Sequence, residues 1–388
     1  MAITTAGAVE TIGVIGGGQL AWMLAPAAEK LGMKLIVQTP NPTDPAVALA
    51  QDAVFAAVTD VAATASLADQ CDVITFENEF IDVPGLQQLA AQGVRFHPAL
   101  EVLSLVLDKL DQRQFFDRIG LPNPRYTSLE AGESADLLVS KAAAIGFPLV
   151  MKTRRLGYDV YGTFVVQTFA ELQAAWQQTG HAPILLEEFV PFERELAVMV
   201  ARSASGEVAV YPTVETQQVD QICRRVIAPA RVSPEVAKTV AQLGQTLAEQ
   251  LPLVGIVGIE CFLTRDQRVL INEIAPRTHN SGHYTIDACA TSQFEQQLRA
   301  VSGRPLAASD LLCPQAVMVN LLGLNASLEE HLKRLADLKD IARAKVYWYG
   351  KEPRPGRKLG HITLCLGADD APEQAVARVE QLWYGNQD

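Results

Sequence analysis

Glu260 and Glu273 are the two side chains whose spacing most clearly implies chemistry. Gly258-Ile-Glu-Cys-Phe-Leu-Thr264 alternates as a strand does, and so does Arg268-Val-Leu-Ile-Asn-Glu-Ile274, with a polar turn between them. If Asp266-Gln267 is a two-residue hairpin loop, Glu260 stands directly opposite Glu273. Cross-strand neighbours lie roughly 5 Å apart at Cβ, and like charges there repel. Each acid interrupts an apolar run, so neither belongs to a solvated face. Mg²⁺ resolves the conflict, because it is held by one or two carboxylates together with substrate phosphates. An edge hairpin with outward-facing acids is the alternative reading.

The next residues add an anion-binding set. Pro276 and Gly282 break regular structure, so Arg277, His279, Asn280 and His283 belong to a loop leaving the strand end. A guanidinium, an imidazole and an amide beside a metal–phosphate site suit a small anion, with a packing role as the alternative for one of the two histidines, His283 above all. Lys152 lies within the apolar run Leu149-Val-Met-Lys152 and therefore needs an anionic partner. Lys351, Arg354, Arg357 and Lys358 place four cations within eight residues, stiffened by Pro353 and Pro355. Such a cluster holds a phosphate, or else forms a solvated basic turn. Gly16-Gly-Gly18-Gln-Leu-Ala21 follows a strand and opens a helix, as a dinucleotide fingerprint does. The ribose-binding acid of that fingerprint is missing, since Gln38-Thr39-Pro40 occupies the second strand end. An oxidoreductase remains the rival class, and it would have to bind a nicotinamide cofactor.

Composition bounds these readings. The 388 residues suit two to three domains, and 49% hydrophobic with 20% charged residues describes a core-rich chain. A net charge of −12 argues against nonspecific nucleic-acid binding. No secretory pattern opens the sequence, and no apolar run reaches spanning length, so neither export nor a membrane partner is expected. The six cysteines show no metal-ligand spacing and read as reduced thiols of a cytoplasmic protein. Cys289, near the loop, reads as packing.

Three sets of elements must position these groups. Residues 1–108 alternate strand and helix: strands at 11–15, 34–38 and 72–76, and a helix at 19–31. This order predicts a parallel, Rossmann-like sheet. Residues 109–305 read as a pair of α+β subdomains meeting near 188. Helices are predicted at 108–119, 134–145, 234–250 and 291–301, and strands at 148–152, 162–166, 184–190, 195–201 and 207–211. Residues 306–388 form a small C-terminal domain with strands near 316–322, 345–349 and 360–366.

Asn272-Glu-Ile-Ala-Pro-Arg-Thr-His-Asn-Ser-Gly-His-Tyr284, continuing to Thr291-Ser-Gln-Phe-Glu295, closely resembles the N5-carboxyaminoimidazole ribonucleotide synthetase family of ATP-grasp ligases. The likeness runs from Gly16-Gly-Gly-Gln-Leu20 to Arg354-Pro-Gly-Arg-Lys-Leu-Gly-His361. It implies an ATP-grasp fold and the ATP- and bicarbonate-dependent carboxylation of 5-aminoimidazole ribonucleotide through carboxyphosphate, in purine synthesis. It also implies Mg²⁺ on Glu260 and Glu273, and a homodimer. The resemblance places Lys109 and Lys152 on the ATP phosphates, with Asn272 and Glu273, and Gly157, Tyr158, Asp159 and Gly162 in the loop above them. Glu187, Glu188, Phe189 and Val190 become the adenine hinge. Glu195 becomes the ribose acceptor, and Gln218 stands where histidine is common. Gly18, Gln19, Leu20, Glu77, Tyr158, Asp159, Lys351, Arg354, Arg357 and Lys358 are implied for the ribonucleotide. Arg277, His279, Asn280 and Lys358 surround the reacting group. Glu77 and the hinge acids have structural alternatives, as a helix cap and as edge-strand acids. Another ATP-grasp enzyme on a purine precursor, such as a formate-using glycinamide ribonucleotide transformylase, is the nearest alternative; the Arg354–His361 segment argues against it. The phosphate loop departs from the family pattern: Val160 replaces a glycine and Tyr161 a lysine, with Arg154 and Arg155 keeping positive charge nearby. That departure motivates a third alternative, a nucleotide-binding relative without activity.

Overall fold

The computed structural model describes residues 9–155 and 162–385. Strands β1 (Thr11–Ile15), β2 (Lys34–Thr39), β3 (Asp52–Phe55) and β4 (Val73–Phe76) pair in parallel in the order β3-β2-β1-β4. Helices α1 (Gln19–Lys30), α2 (Val61–Ala68), α3 (Val83–Ala91) and α4 (Leu100–Leu107) accompany them. The near-continuous apolar runs Ile12–Ile15 and Leu35–Val37 are buried, as strands covered on both faces require. The sequence reading omitted β3, whose four residues are at most half-buried and carry little periodic signal.

Asp108 caps α5 (Lys109–Arg118) by accepting from Leu110 N–H at 2.9 Å. Next comes a four-stranded sheet in the order β5-β8-β6-β7, made of β5 (Tyr126–Leu129), β6 (Leu149–Thr153), β7 (Thr163–Val166) and β8 (Ile184–Glu188). Helices α6 (Ala135–Ile145) and α7 (Phe169–Gln178) start at Ser134 and Thr168, whose hydroxyls accept from the third residue on. Strand β8 ends at Glu188, two residues before the predicted Val190.

A nine-stranded sheet forms the largest layer, in the order β14-β13-β9-β11-β12-β15-β17-β16 with β10 beside β9. Its members are β9 (Phe192–Arg202), β10 (Val208–Val210), β11 (Val214–Val219), β12 (Ile222–Ala228), β13 (Gly255–Thr264), β14 (Val269–Ala275), β15 (Gln315–Leu322), β16 (Ala344–Trp348) and β17 (Lys358–Leu366). Strands β11 and β12 were not anticipated, and they join β9 to β15. The C-terminal strands therefore extend the same sheet instead of forming their own. Helix α8 (Pro234–Gln250) packs one face, where Gly244 lets it close: a Cβ there would sit 2.9 Å from Val200. Helices α9 (Thr285–Ala288) and α10 (Gln293–Val301) lie near β17 and β13, while α11 (Leu328–Lys339) and α12 (Pro372–Tyr384) cover the C-terminal strands.

Helix α10 also joins the parallel sheet to the large one. Phe294, Leu298 and Val301 share a core with Leu20, Leu24 and Val37. Gln297 accepts from Ile256 N–H at 2.6 Å and donates to Thr75 Oγ1 at 2.8 Å.

Candidate active site

Glu260 and Glu273 stand opposite each other on β13 and β14. The loop that joins these strands is not the two-residue turn predicted. Thr264 pairs with Arg268 around Arg265-Asp266-Gln267, with Gln267 at φ 63° and Gln267 N–H donating to Thr264 O. A three-residue loop closing through a left-handed residue is itself a common hairpin form. It sets Cys261 against Ile271, and a β-bulge at Asn272 then brings Glu260 back into line with Glu273. The bulge has a second consequence. Ile271 and Ile274 both enter the same apolar core, so Asn272 and Glu273 between them turn together toward the opposite side.

That side is the cleft against the four-stranded sheet. Asn272 Oδ1 accepts from Lys152 Nζ at 3.1 Å. Lys152 Nζ is also 2.8 Å from Glu187 Oε2, and Arg113 Nε is 2.6 Å from Glu187 Oε1. Glu187 is 2% exposed on β8, an interior strand, which removes the edge-strand alternative for it. Burial alone would raise its pKa, but Arg113 and Lys152 overcome this and hold it down at about 2. The anion that Lys152 requires is thus partly internal. Arg113, which also donates to Ile271 O at 3.2 Å, was not singled out in the sequence. Its (i, i+4) place on α5 after Lys109 was the available signal. Glu188 instead accepts from Arg125 Nε at 2.7 Å, near the surface. Beyond it, Phe189 is exposed and Val190 buried.

Lys109 opens α5, its amide bonded to Arg154 O. Arg154 and Arg155 both reach Asp108, at 2.7 and 3.1 Å. The positive charge expected near the loop is therefore present but ion-paired, with Arg154 also 2.5 Å from Glu130. Gly162 sits at φ 81°, where its missing Cβ leaves room for Thr153. Gly157, Tyr158, Asp159, Val160 and Tyr161 lie outside the described residues.

On β9, Glu195 neighbours Thr216 and Phe262. Burial raises its carboxyl to about 7, offset in part by a hydrogen bond with Gln218. Phe192 and Phe262 stack at 4.8 Å on the adjoining stretch.

The loop after β14 adds the anion-binding groups. Arg277 Nε donates to Glu79 Oε1 at 2.8 Å, which ties the loop to the segment after β4; Glu79 was another omission. His279 Nε2 lies 3.6 Å from Glu260 Oε1, and its Nδ1 is 2.6 Å from Ser281 Oγ. Burial, with Arg277 and Lys358 adding repulsion, lowers His279 to about 3. It is a neutral hydrogen-bonding group at physiological pH. Asn280 exchanges two amide hydrogen bonds with buried Asn320, at 2.9 and 2.7 Å, so it fastens the loop to β15. His283 is fully buried. Burial pushes the Cys289 thiol up to about 12, in keeping with a packing role.

The glycine turn does not present its amides as a dinucleotide fingerprint does. Glu77 accepts from Gly18 N–H at 2.8 Å and Leu20 N–H at 3.2 Å, so a carboxylate occupies the amides that would hold a dinucleotide phosphate. It caps α1 and not the helix that follows it. A Cβ on Gly18 would stand 2.2 Å from Glu77 Oε1. Gln19 accepts from Lys351 Nζ, which burial lowers to about 8 despite the opposing pull of Glu77. Lys351, Arg354 and Arg357 line a cavity of about 790 Å³ shared with Asn41, Thr43 and Asp44 of the parallel-sheet layer. Lys358 begins β17.

Both carboxylates and the Asn272 amide are hard oxygen donors, which suits Mg²⁺. Among the described residues no group of three or more His, Cys, Asp or Glu could hold a metal by itself. A cation bound by Glu260 and Glu273 therefore needs ligand oxygens, such as phosphates, to complete its shell. No helix among the described residues is long and apolar enough to cross a membrane.

Comparisons with known proteins agree with this layout. A ribonucleotide synthetase preATP-grasp domain matches residues 9–106, an ATP-grasp domain 114–294, and a phosphoribosylaminoimidazole carboxylase C-terminal domain 316–375. The N5-carboxyaminoimidazole ribonucleotide synthase of Synechococcus elongatus is 54% identical, covering 97% of this chain and 96% of its own. A crystal structure of an N5-carboxyaminoimidazole ribonucleotide synthetase with ADP superposes with a TM-score of 0.89 at 35% identity, covering 98% of this chain and 100% of that one. The Aspergillus clavatus enzyme, solved with ADP and 5-aminoimidazole ribonucleotide, gives 0.89 at 31% identity, over 97% and 98%. With all three layers matched and a relative this similar along nearly its whole length, the chain belongs to the N5-carboxyaminoimidazole ribonucleotide synthase family of ATP-grasp enzymes.

Proposed function

We infer that this chain is a C–N-bond-forming ligase that uses ATP and bicarbonate to carboxylate the exocyclic amine of 5-aminoimidazole ribonucleotide. The observation that carries the reading is the opposition of Glu260 and Glu273 beside a loop presenting Arg277 and His279. Bicarbonate is a poor electrophile. Attack of its oxygen on the γ-phosphorus of ATP releases ADP and forms carboxyphosphate; attack of the amine on the carboxyl carbon then releases phosphate, and the amine loses a proton.

Mg²⁺ held by Glu260 and Glu273 would offset charge on the phosphates during transfer. Lys152, fixed by Glu187 and Asn272, directs its ammonium toward the same region, with Lys109 at the start of α5. Glu195 accepts from the ribose, and Glu187 to Val190 form the hinge. Because the Glu187 side chain is paired internally, the hinge would meet adenine through its backbone and the Phe189 and Val190 walls. Arg277 and the Nε2–H of His279 orient bicarbonate and carboxyphosphate, and Asn280 holds their loop in place. Gln19, Glu77 and Lys351 face the ribonucleotide, with Arg354, Arg357 and Lys358 on its phosphate. The domain limits 1–108, 109–305 and 306–388, a cytoplasmic location and a homodimer complete the proposal.

ADP release measured with ATP, Mg²⁺ and bicarbonate, with and without 5-aminoimidazole ribonucleotide, tests the reading. It predicts Mg²⁺-dependent release matched by carboxylated product. Release with no dependence on the ribonucleotide and no product would overturn it.

A further inference from the structure

Four buried polar atoms between α9 and β17 have no hydrogen-bond partner among the described residues: His283 Nε2, His361 Nε2, Thr363 Oγ1 and Asp287 Oδ2. His361 and Thr363 share one face of β17, and the His283 and His361 rings are 5.0 Å apart. Tyr347 stacks on His361 at 4.5 Å and donates to the other Asp287 oxygen at 2.8 Å. Buried polar groups are almost always paired, so this grouping calls for an account.

The surrounding bonds fix where the imidazole protons are. Gln293 accepts from His279 N–H at 2.9 Å and donates to His279 O at 2.7 Å, which orients its amide. The remaining amide hydrogen meets His283 Nδ1 at 3.3 Å. His283 Nδ1 therefore accepts, and the ring proton is on Nε2. Tyr349 Oη has one partner among the described residues, His361 Nδ1 at 2.7 Å. A buried phenol donates where it can, which puts the His361 proton on Nε2 as well. Burial keeps both rings neutral. Two N–H donors on facing rings cannot bond each other. Each needs an acceptor, and one water accepting from both rings would satisfy the pair.

We propose that Tyr349, His361, an internal water, His283 and Gln293 form a positioning chain that fixes the His279 backbone relative to the Lys351–Lys358 segment. One end adjoins the cations assigned to the ribonucleotide; the other grips the loop assigned to carboxyphosphate. Close packing makes the grip stiff: a Cβ on Gly282 would lie 2.4 Å from Gln293 Oε1, and one on Gly258 2.7 Å from His279 Cβ. The chain thus couples the seating of one substrate to the geometry around the other. This functional part rests on the ligase reading; the proton positions do not.

The test combines nitrogen-15 NMR of histidine-labelled full-length protein with kinetics of Tyr349→Phe, which removes one hydroxyl and keeps the ring. Both His283 and His361 should be neutral Nε2–H tautomers with slowly exchanging protons. In Tyr349→Phe the yield of carboxylated product per ADP should fall by roughly threefold or more, with KM for ATP within about twofold, since only alignment is disturbed. An Nδ1–H tautomer at either ring overturns the chain. So does a Tyr349→Phe enzyme that loses stability but keeps its product-to-ADP ratio, because that marks a purely structural hydroxyl. If the unsubstituted protein makes no product, the ligase reading fails, and the tautomers still decide the chain.

Discussion

The acids of the cleft differ because their partners differ, and each predicts a different response. Glu260 and Glu273 repel each other across the hairpin, so neutralising one removes strain while removing a metal ligand. Glu273→Gln is expected to lower Mg²⁺-dependent ADP release by about 100-fold or more without loss of thermal stability. Glu260→Gln should act in the same direction but less severely. Near-normal turnover in both would return the hairpin to a structural role. Glu187 is the opposite case, since its loss leaves Arg113 and Lys152 buried without their counter-ion. Glu187→Gln should destabilise the fold by about 3 kcal/mol in urea titration. Because its folded pKa is about 2 against an ordinary 4.5, its stabilisation is complete above 4.5 and disappears as pH falls toward 2. Comparing the pH dependence of unfolding in the protein and the variant checks that window. Glu195 runs the other way: burial holds its carboxyl protonated up to about 7. A ribose acceptor should be ionised, so KM for ATP is expected to fall as pH rises through 7 and to lose that dependence in Glu195→Gln. In stability, the same shift favours the fold below 4.5, and the benefit disappears as pH rises through 7.

Among the elements, the β13–β14 hairpin shows how local geometry serves the site. A regular strand presents alternate residues to one face; the bulge lets Asn272 and Glu273 face the cleft together, one toward Lys152 and one toward Glu260. The basic segment 351–358 is built differently, as a turn closed by Arg357 N–H to Arg354 O and pinned to Gly323. Gly323 has no space for a side chain, since a Cβ there would meet Arg354 O at 2.0 Å. Arg357→Ala and Lys358→Ala should raise KM for the ribonucleotide by about tenfold each and leave KM for ATP nearly unchanged, the scale of one charge-assisted phosphate contact. Equal weakening for both substrates would show that this turn serves the nucleotide.

At the scale of the whole molecule, the parallel sheet and the nine-stranded sheet share a core through α10, so they should unfold together. Gln297 sits at that joint. Gln297→Leu leaves the Ile256 amide and the Thr75 hydroxyl without their partner, and is expected to cost about 1–3 kcal/mol while preserving a single transition in denaturant. Two separated transitions would mean that the layers fold independently. The same joint brings Glu79 to Arg277 and Lys351 to Gln19, so the proposed ribonucleotide site is assembled across layers.

Much of this was legible in the sequence because it depends on local pattern. Alternation marked β13 and β14, buried apolar runs marked β1 and β2, and the interrupted apolar stretch at Lys152 announced a buried cation in need of an anion. Glu260 and Glu273 were correctly paired from the hairpin, yet through a two-residue loop that does not form; loop and bulge are each one residue from a regular hairpin, and the two departures cancel at that pair. Strands β11 and β12 carry polar residues such as Gln217, Gln218 and Arg225, so their periodicity is weak until neighbouring strands supply the partners. Which anion meets Lys152, that Glu77 fills the glycine turn, that Asp108 takes Arg154 and Arg155, and that Asn280 pairs with Asn320 are contacts between residues far apart in the chain. Residue type states that a buried charge or amide must find a partner; only the packed sheets decide which one, because dozens of polar groups compete and distance in space selects among them.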